Sequence, residues 1–227
     1  MAIDRPRRPP PRRGPESGTV SVFVADEQVA GEAPGLPVDG LRWSRLAELV
    51  LAAEGVEGEV EVSILFVDEA HIADLNREFM GREGPTDVLS FPLDGVADAG
   101  TSGLTPPLAQ VAPDLDDQPL LLGDVVVCPA VAQRQATGHA GSYDDEVALL
   151  VVHGLLHLLG HDHATDAERD TMQARERSLL AAHHGPLAAD PWAALAAMDP
   201  ALDTTELAAL DLDADDRPAV DPAAGDR

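Results

Sequence analysis

The chain contains no lysine, and all 15 of its basic residues are arginine. Alanine, glycine, proline, aspartate and arginine are abundant together, so this reads as compositional bias and carries no functional meaning. Cys128 is alone, which excludes an intrachain disulfide and points to a reducing compartment. It lies in the apolar run LLLGDVVVCP, where the expected role is that of a small buried hydrophobe rather than a reactive thiol. Aromatic residues are scarce, at 3% of the chain. The apolar run VALLVV ahead of His153 is far too short to span a bilayer. No apolar stretch follows the basic N-terminus, so no signal peptide is read there, and the cytoplasm is the expected location.

Positive charge is also in short supply. The formal net charge of −26 argues against non-specific polyanion binding over the whole surface. It is unevenly spread: residues 1–15 carry five Arg against one Asp, and residues 186–227 carry ten acidic groups against two Arg. An anionic substrate must therefore be drawn in by a bound cation or by a few placed arginines, and the charge by itself tells against a nuclease.

The chain divides into three parts. The Arg/Pro-rich arm 1–18 cannot build a core and is expected to be disordered. Residues 19–185 carry the periodic segments of one domain. The Ala/Asp-rich tail 186–227, with WAALAAM and ELAALDL, is expected to be disordered as well. Within the domain, residues 93–119 lack periodicity and read as an exposed insertion. Strands are expected at TVSVFVA, EVEVSILFV, VLSFP and LGDVVVCP. Helices are expected over 39–54 (apolar face Leu41, Leu46, Leu49 and Val50), over DEAHIADLNREFM and over 129–137, 143–160 and 165–184. In DEAHIADLNREFM, Asp68 is the cap and Ile72, Leu75 and Phe79 form the buried side. Strand–helix alternation followed by helices implies an α/β or α+β layer with one sheet.

The informative segment is HGLLHLLGHDH, residues 153–163. His153 and His157 are four apart on one helix, which puts both imidazoles on one face and suits two nitrogens converging on a cation. Gly160 lets the helix end in a left-handed residue, and the turn brings His163 back. Three neutral imidazoles with an open fourth position suit a catalytic Zn2+, one per chain, although nickel or copper would also accept such ligands. His161 competes with His163 as third ligand but follows Gly160 directly and should point elsewhere. Asp162 is a candidate to accept a hydrogen bond from a ligand imidazole; its alternative role is to cap the following turn. His71, His139, His183 and His184 lack comparable partners and are read as surface residues.

The spacing matches the zinc-protease motif H-E-x-x-H-x-x-G-x-x-H except that Gly154 stands where the general-base Glu belongs, which weakens a peptidase reading. HGLLHLLGHDH instead resembles the signature of the YbeY-type endoribonucleases, bacterial metalloproteins of rRNA maturation and ribosome quality control. LNREFMGREGPTDVLSFP (75–92) and LGDVVVCPAVAQRQA (122–136) resemble two further blocks of that family in the same order, and the resemblance spans roughly 19–184. It implies an α+β fold with a small mixed sheet packed with helices and a zinc site at the end of a cleft. It also implies His153, His157 and His163 as metal ligands, and cleavage of single-stranded RNA.

The family commonly carries an Arg directly after the aromatic of the second block. Here Phe79 is followed by Met80, and Arg82 is the nearest cation and the candidate catalytic substitute. Thr86, Asp87 and Ser90 are candidates to bond substrate, with holding the turn and strand together as their alternative. Arg77 and Arg134 are read as ordinary surface cations. The expected function is 16S rRNA 3′-end maturation and ribosome quality control, with rRNA and the ribosome or its small subunit as partners and no membrane. The rivals are a ribosome-assembly factor with little turnover and a zinc peptidase. Oligomeric state has no signal in the sequence.

Overall fold

The computed structural model describes residues 19–29, 35–93 and 119–193. The arm 1–18, all but the ends of the insertion 93–119 and most of the tail 186–227 lie outside the described residues. The chain divides into Met1–Pro191 and Trp192–Arg227, and every element named here belongs to the first unit.

In chain order the elements are β1 (Val20–Asp26), α1 (Gly40–Ala53), β2 (Val60–Phe66) and α2 (Glu69–Leu75). A π-helical turn (Asn76–Met80), β3 (Val88–Pro92), β4 (Leu120–Val127), α3 (Pro129–Ala136), α4 (Tyr143–Leu158) and α5 (Asp166–His183) complete the order. The four strands form one sheet in the order β1-β2-β4-β3. The β1–β2 and β2–β4 pairs are parallel, and β3 runs antiparallel on the edge. Parallel neighbours need a crossover, which α1 supplies between β1 and β2. The result is an α+β fold, a small mixed sheet packed with helices.

Asp39 caps α1 by accepting from the Arg42 backbone N–H at 3.1 Å. The buried face of α1 is Trp43, Leu46, Ala47, Val50 and Leu51, the i, i+3, i+4, i+7, i+8 stripe of a core-facing helix. Leu41, expected on that stripe, is 81% exposed, because Trp43 and Ala47 define a face pointing away from it.

The centre of the molecule is α4, which packs against α1, α3, α5, β3 and β4. Almost every residue from Asp145 to Leu158 is buried, so this helix is apolar nearly all round and its polar positions stand out. Its N-cap, Ser142, accepts from the Asp145 backbone N–H, and Asp144, Asp145 and Glu146 put negative charge at the positive end of the helix dipole.

On the sheet face opposite Ser90, Leu89 and Val126 join Val67, Ile72, Cys128 and Val131 in a second apolar cluster, with Leu65, Leu75, Phe91 and Ala130 against it. Cys128 is fully buried there, and burial pushes its thiol pKa up. Asp68 caps α2 as expected, but the helix does not continue regularly to Met80. The wider π turn, closed by the Gly81 N–H on the Asn76 carbonyl, adds a residue and rotates the downstream side chains by about 100°. Asn76, one turn after Ile72, is the buried residue at its start, and Phe79, expected to be buried, is 58% exposed.

Candidate metal centre

Local sequence brings the three histidines together. The carbonyls of α4 end in a Schellman motif: the Gly160 N–H donates to His157 O (3.0 Å) and the His161 N–H to Leu156 O (3.0 Å). Gly160 has φ 86°, the left-handed conformation this motif requires. Further along, Thr165 and Glu168 form a capping box that starts α5. His163 is held in the short span between those two stops, folded back over His153 and His157.

The three ligand-capable nitrogens lie within 4.8 Å of one another. His153 and His157 have their Nε2 atoms 3.1 Å apart. Two nitrogens on one tetrahedral cation at ~2.0–2.1 Å each stand roughly 3.3 Å apart, so the donor set fits such an ion. The rings of His153 and His163 are stacked with centroids 5.8 Å apart, and His157 meets both edge-on. Burial, and next the electrostatic influence of the adjacent His153 and His163 rings, pushes the His157 pKa down to about 4, which keeps that imidazole neutral and able to ligate.

His153 Nδ1–H donates to Glu176 Oε1 at 2.8 Å. The carboxylate sits on α5 and is 3% exposed. Donating at Nδ1 leaves the Nε2 lone pair free to face the cation, the usual support for a ligand histidine. The sequence reading does not single out Glu176. The signal is present: it is the lone carboxylate on the buried stripe Met172, Glu176, Leu179 and Leu180. Asp162, the residue expected near a ligand imidazole, accepts instead from the His163 backbone N–H at 2.7 Å and so shapes the turn. His161 turns toward Glu54, at 3.8 Å.

The triad opens into a cleft of about 680 Å³. Asn76, Met80, Arg82, Thr86 and Ser90 line it with the histidines, and Asp162 is the only carboxylate among the described lining residues. Most described arginines are paired: Arg42 with Asp144, Arg77 with Asp74, Arg134 with Glu69, Arg169 with Asp166 and Arg175 with Glu54. Arg82 has no carboxylate partner among the described residues and lines the cleft. A cleft with one guanidinium and one carboxylate among its described lining residues, if completed by a dication, would carry positive charge on an otherwise acidic protein. That local charge would answer the objection raised by the net charge.

Thr86, Asp87 and Ser90 carry internal bonds. The Thr86 hydroxyl and the Val88 N–H both donate to Asp87 Oδ1 (3.0 and 2.8 Å), and the Ser90 hydroxyl donates to the Gly154 carbonyl (3.2 Å). Thr86 and Ser90 still line the cleft; Asp87 is not among its lining residues. Gly154 itself faces the sheet: a Cβ there would lie 2.5 Å from Val125 Cγ1. A Glu at this position, as a zinc peptidase needs, has no room.

Two histidines read as surface residues are not free. His139 pairs with fully buried Glu146 at 2.9 Å, a bond that raises the His139 pKa. The His184 side chain is only 7% exposed and lies 2.8 Å from Asp145. Burial opposes ionisation of Asp145, but its bonds from His184, Ser142 and the Ala188 N–H prevail and lower its pKa.

Residues 37–184 match the family model described as Endoribonuclease YbeY. Relatives of that name include one from Acidothermus cellulolyticus, 49% identical over 68% of this chain and 89% of its own length. Others are from Thermobifida fusca, 45% identical over 71% and 93%, and Frankia casuarinae, 44% identical over 73% and 76%. With its histidine triad in the matched region, this chain belongs to the YbeY endoribonuclease family.

Proposed function

We propose that this protein is a metal-dependent endoribonuclease that cuts single-stranded RNA, acting in 16S rRNA 3′-end maturation and ribosome quality control in the cytoplasm. Its metal is Zn2+, one ion per chain, held by His153, His157 and His163. The observation that carries the reading is the convergence of those three imidazoles at a cleft that also presents Arg82, which has no carboxylate partner among the described residues. A bound Zn2+ would supply Lewis acidity, lowering the pKa of water toward ~7.

The chain's own residues do the rest. Glu176 holds the His153 ring in the ligating tautomer. Arg82 grips a phosphate oxygen and offsets the charge that builds there as the phosphodiester is attacked. Thr86 and Ser90 orient the strand along the cleft. Gly154, packed against Val125, leaves the site without the peptidase base. RNA and the small ribosomal subunit are the partners in this reading.

The test is metal content by mass spectrometry on wild type and His157→Ala, with RNA cleavage assayed on the same samples. One zinc per wild-type chain, lost in the variant together with cleavage, is the expected result. Zinc present without RNA cleavage would favour the second reading, a ribosome-assembly factor with little turnover. That alternative draws on Met80 standing where the family commonly has Arg, and ribosome co-sedimentation without rRNA cleavage would support it. No metal in either sample, after zinc is offered, would overturn the proposal.

A further inference from the structure

The π turn at the end of α2 has an effect that packing alone does not require. It moves Phe79 off the buried face and leaves the ring 58% exposed in a protein with only four Phe. The ring is not loose: it meets Phe91 edge-to-face, with centroids 5.1 Å apart and an interplanar angle of 69°. Phe91 is in turn packed on the second apolar cluster, so Phe79 rests on a fixed support.

The loop after the turn is tied back as well. The Asn76 side chain donates to the Gly84 carbonyl at 3.0 Å, and the Arg82 N–H donates to the Asn76 carbonyl at 3.3 Å. Neither ring lines the cleft: Phe91 is on the sheet face opposite Ser90, and Phe79, packed on it, is next in sequence to the cleft-lining Met80. The segment 79–82 thus presents, in order, an exposed ring supported by Phe91, a cleft-lining thioether and a cleft-lining guanidinium with no carboxylate partner among the described residues.

We infer that Phe79 is a stacking platform for one unpaired base of a single-stranded RNA, placed so that a neighbouring phosphate meets Arg82. This rests on the ribonuclease reading. Stacking on an aromatic face suits a single strand, whose bases are unstacked and exposed, and excludes a duplex, whose base faces are covered. It needs no positive charge, so it works on a protein of net charge −26, where backbone attraction is weak. The ring's support on Phe91 reduces the ordering cost of binding, and π-helical turns are frequent at functional sites.

The experiment uses the full metal-loaded chain, a single-stranded RNA substrate and the variants Phe79→Ala, Phe79→Tyr and Phe79→Trp. Phe79→Ala should raise KM roughly tenfold with little change in kcat, and the aromatic variants should restore it. In Phe79→Trp, single-stranded 2′-O-methyl RNA, used as a cleavage-resistant ligand, should quench tryptophan emission beyond the wild-type background, and the same strand in a duplex should not. Unchanged KM for Phe79→Ala and no quenching, in a wild type that cleaves RNA, would overturn the platform and leave the ribonuclease reading intact. A fall in kcat alone would assign the ring to loop structure and also overturn it. A wild type that neither binds nor cleaves single-stranded RNA would overturn both.

Discussion

The Nδ1 of His153 and the Oε1 of Glu176 are 2.8 Å apart, joining α4 to α5 across 23 residues of sequence. The carboxylate is buried, so this bond forms away from competing water and fixes both the tautomer and the angle of one ring of the candidate metal site. Glu176→Ala should weaken metal affinity by about ten- to a hundredfold, measured by chelator competition. Glu176→Gln keeps an acceptor of the same shape and should lose less. Equal affinity in wild type and Glu176→Ala would show that the ring is held by packing alone.

Gly154 gives a stability prediction. Replacing glycine by alanine inside a helix ordinarily stabilises by about 0.5–1 kcal/mol. Here the new Cβ would meet Val125 Cγ1 at 2.5 Å between a packed helix and a packed strand. Overpacking of that kind costs about 1–3 kcal/mol and should win. Gly154→Ala should therefore lower Tm by several degrees, and its cost should shrink in a Val125→Ala background. A gain in Tm would mean that the α4–sheet contact yields readily enough to admit a methyl group.

Arg82→Ala should reduce RNA cleavage at least tenfold while zinc content stays at the wild-type level, because a charge-assisted hydrogen bond contributes about 1.5–3 kcal/mol. Arg82→Lys should recover part of the rate, since it keeps the charge but loses the bidentate fork. Cleavage unaffected by Arg82→Ala would leave phosphate neutralisation to the metal site alone.

His157 should show a low titration midpoint in the metal-free protein. Its ordinary value is 6.5, and burial, followed by the electrostatic influence of the neighbouring His153 and His163, pushes it down to about 4. Above pH 6.5 both folded and unfolded forms are neutral and the group contributes no pH dependence. As pH falls toward 4 the unfolded chain takes up a proton that the folded chain refuses, so stability declines over that window and levels off below it. His139, whose pKa is raised chiefly by its bond to Glu146, acts in the opposite sense and loses its contribution as pH rises. The check is an NMR titration of the His157 ring itself; a midpoint at 6.5 would refute the prediction.

The parts of the site visible in the sequence are those whose geometry is local. His153 and His157 share a face because a helix repeats every 3.6 residues, and Gly160 must end that helix because a left-handed residue is needed there. Phe79 departs from its expected burial for a related reason: the same period, carried through Asn76, runs into a π turn that the apolar pattern does not reveal. Leu41 departs from it because the buried stripe of α1 begins at Trp43 and runs through Leu46, Ala47, Val50 and Leu51. His184 shows no partner in the sequence because Asp145, 39 residues away, reaches it only through tertiary folding, whereas His139 meets Glu146 across the short turn into α4, whose shape the sequence pattern does not reveal.

The strands, most of the helices, a one-sheet α/β or α+β layer and the three histidines are legible from periodicity, capping and turn chemistry within a few residues, whereas the mixed α+β fold is expected only from the family resemblance. Only the tertiary structure decided that Glu176 reaches His153, that Gly154 has no space for a side chain, and that Arg82 lies in the cleft with no carboxylate partner among the described residues. The physical reason is one of range. Backbone hydrogen bonding and side-chain period act over one or two turns, whereas a buried carboxylate on a ring nitrogen or a methyl clash across a helix–sheet contact depends on which elements pack together.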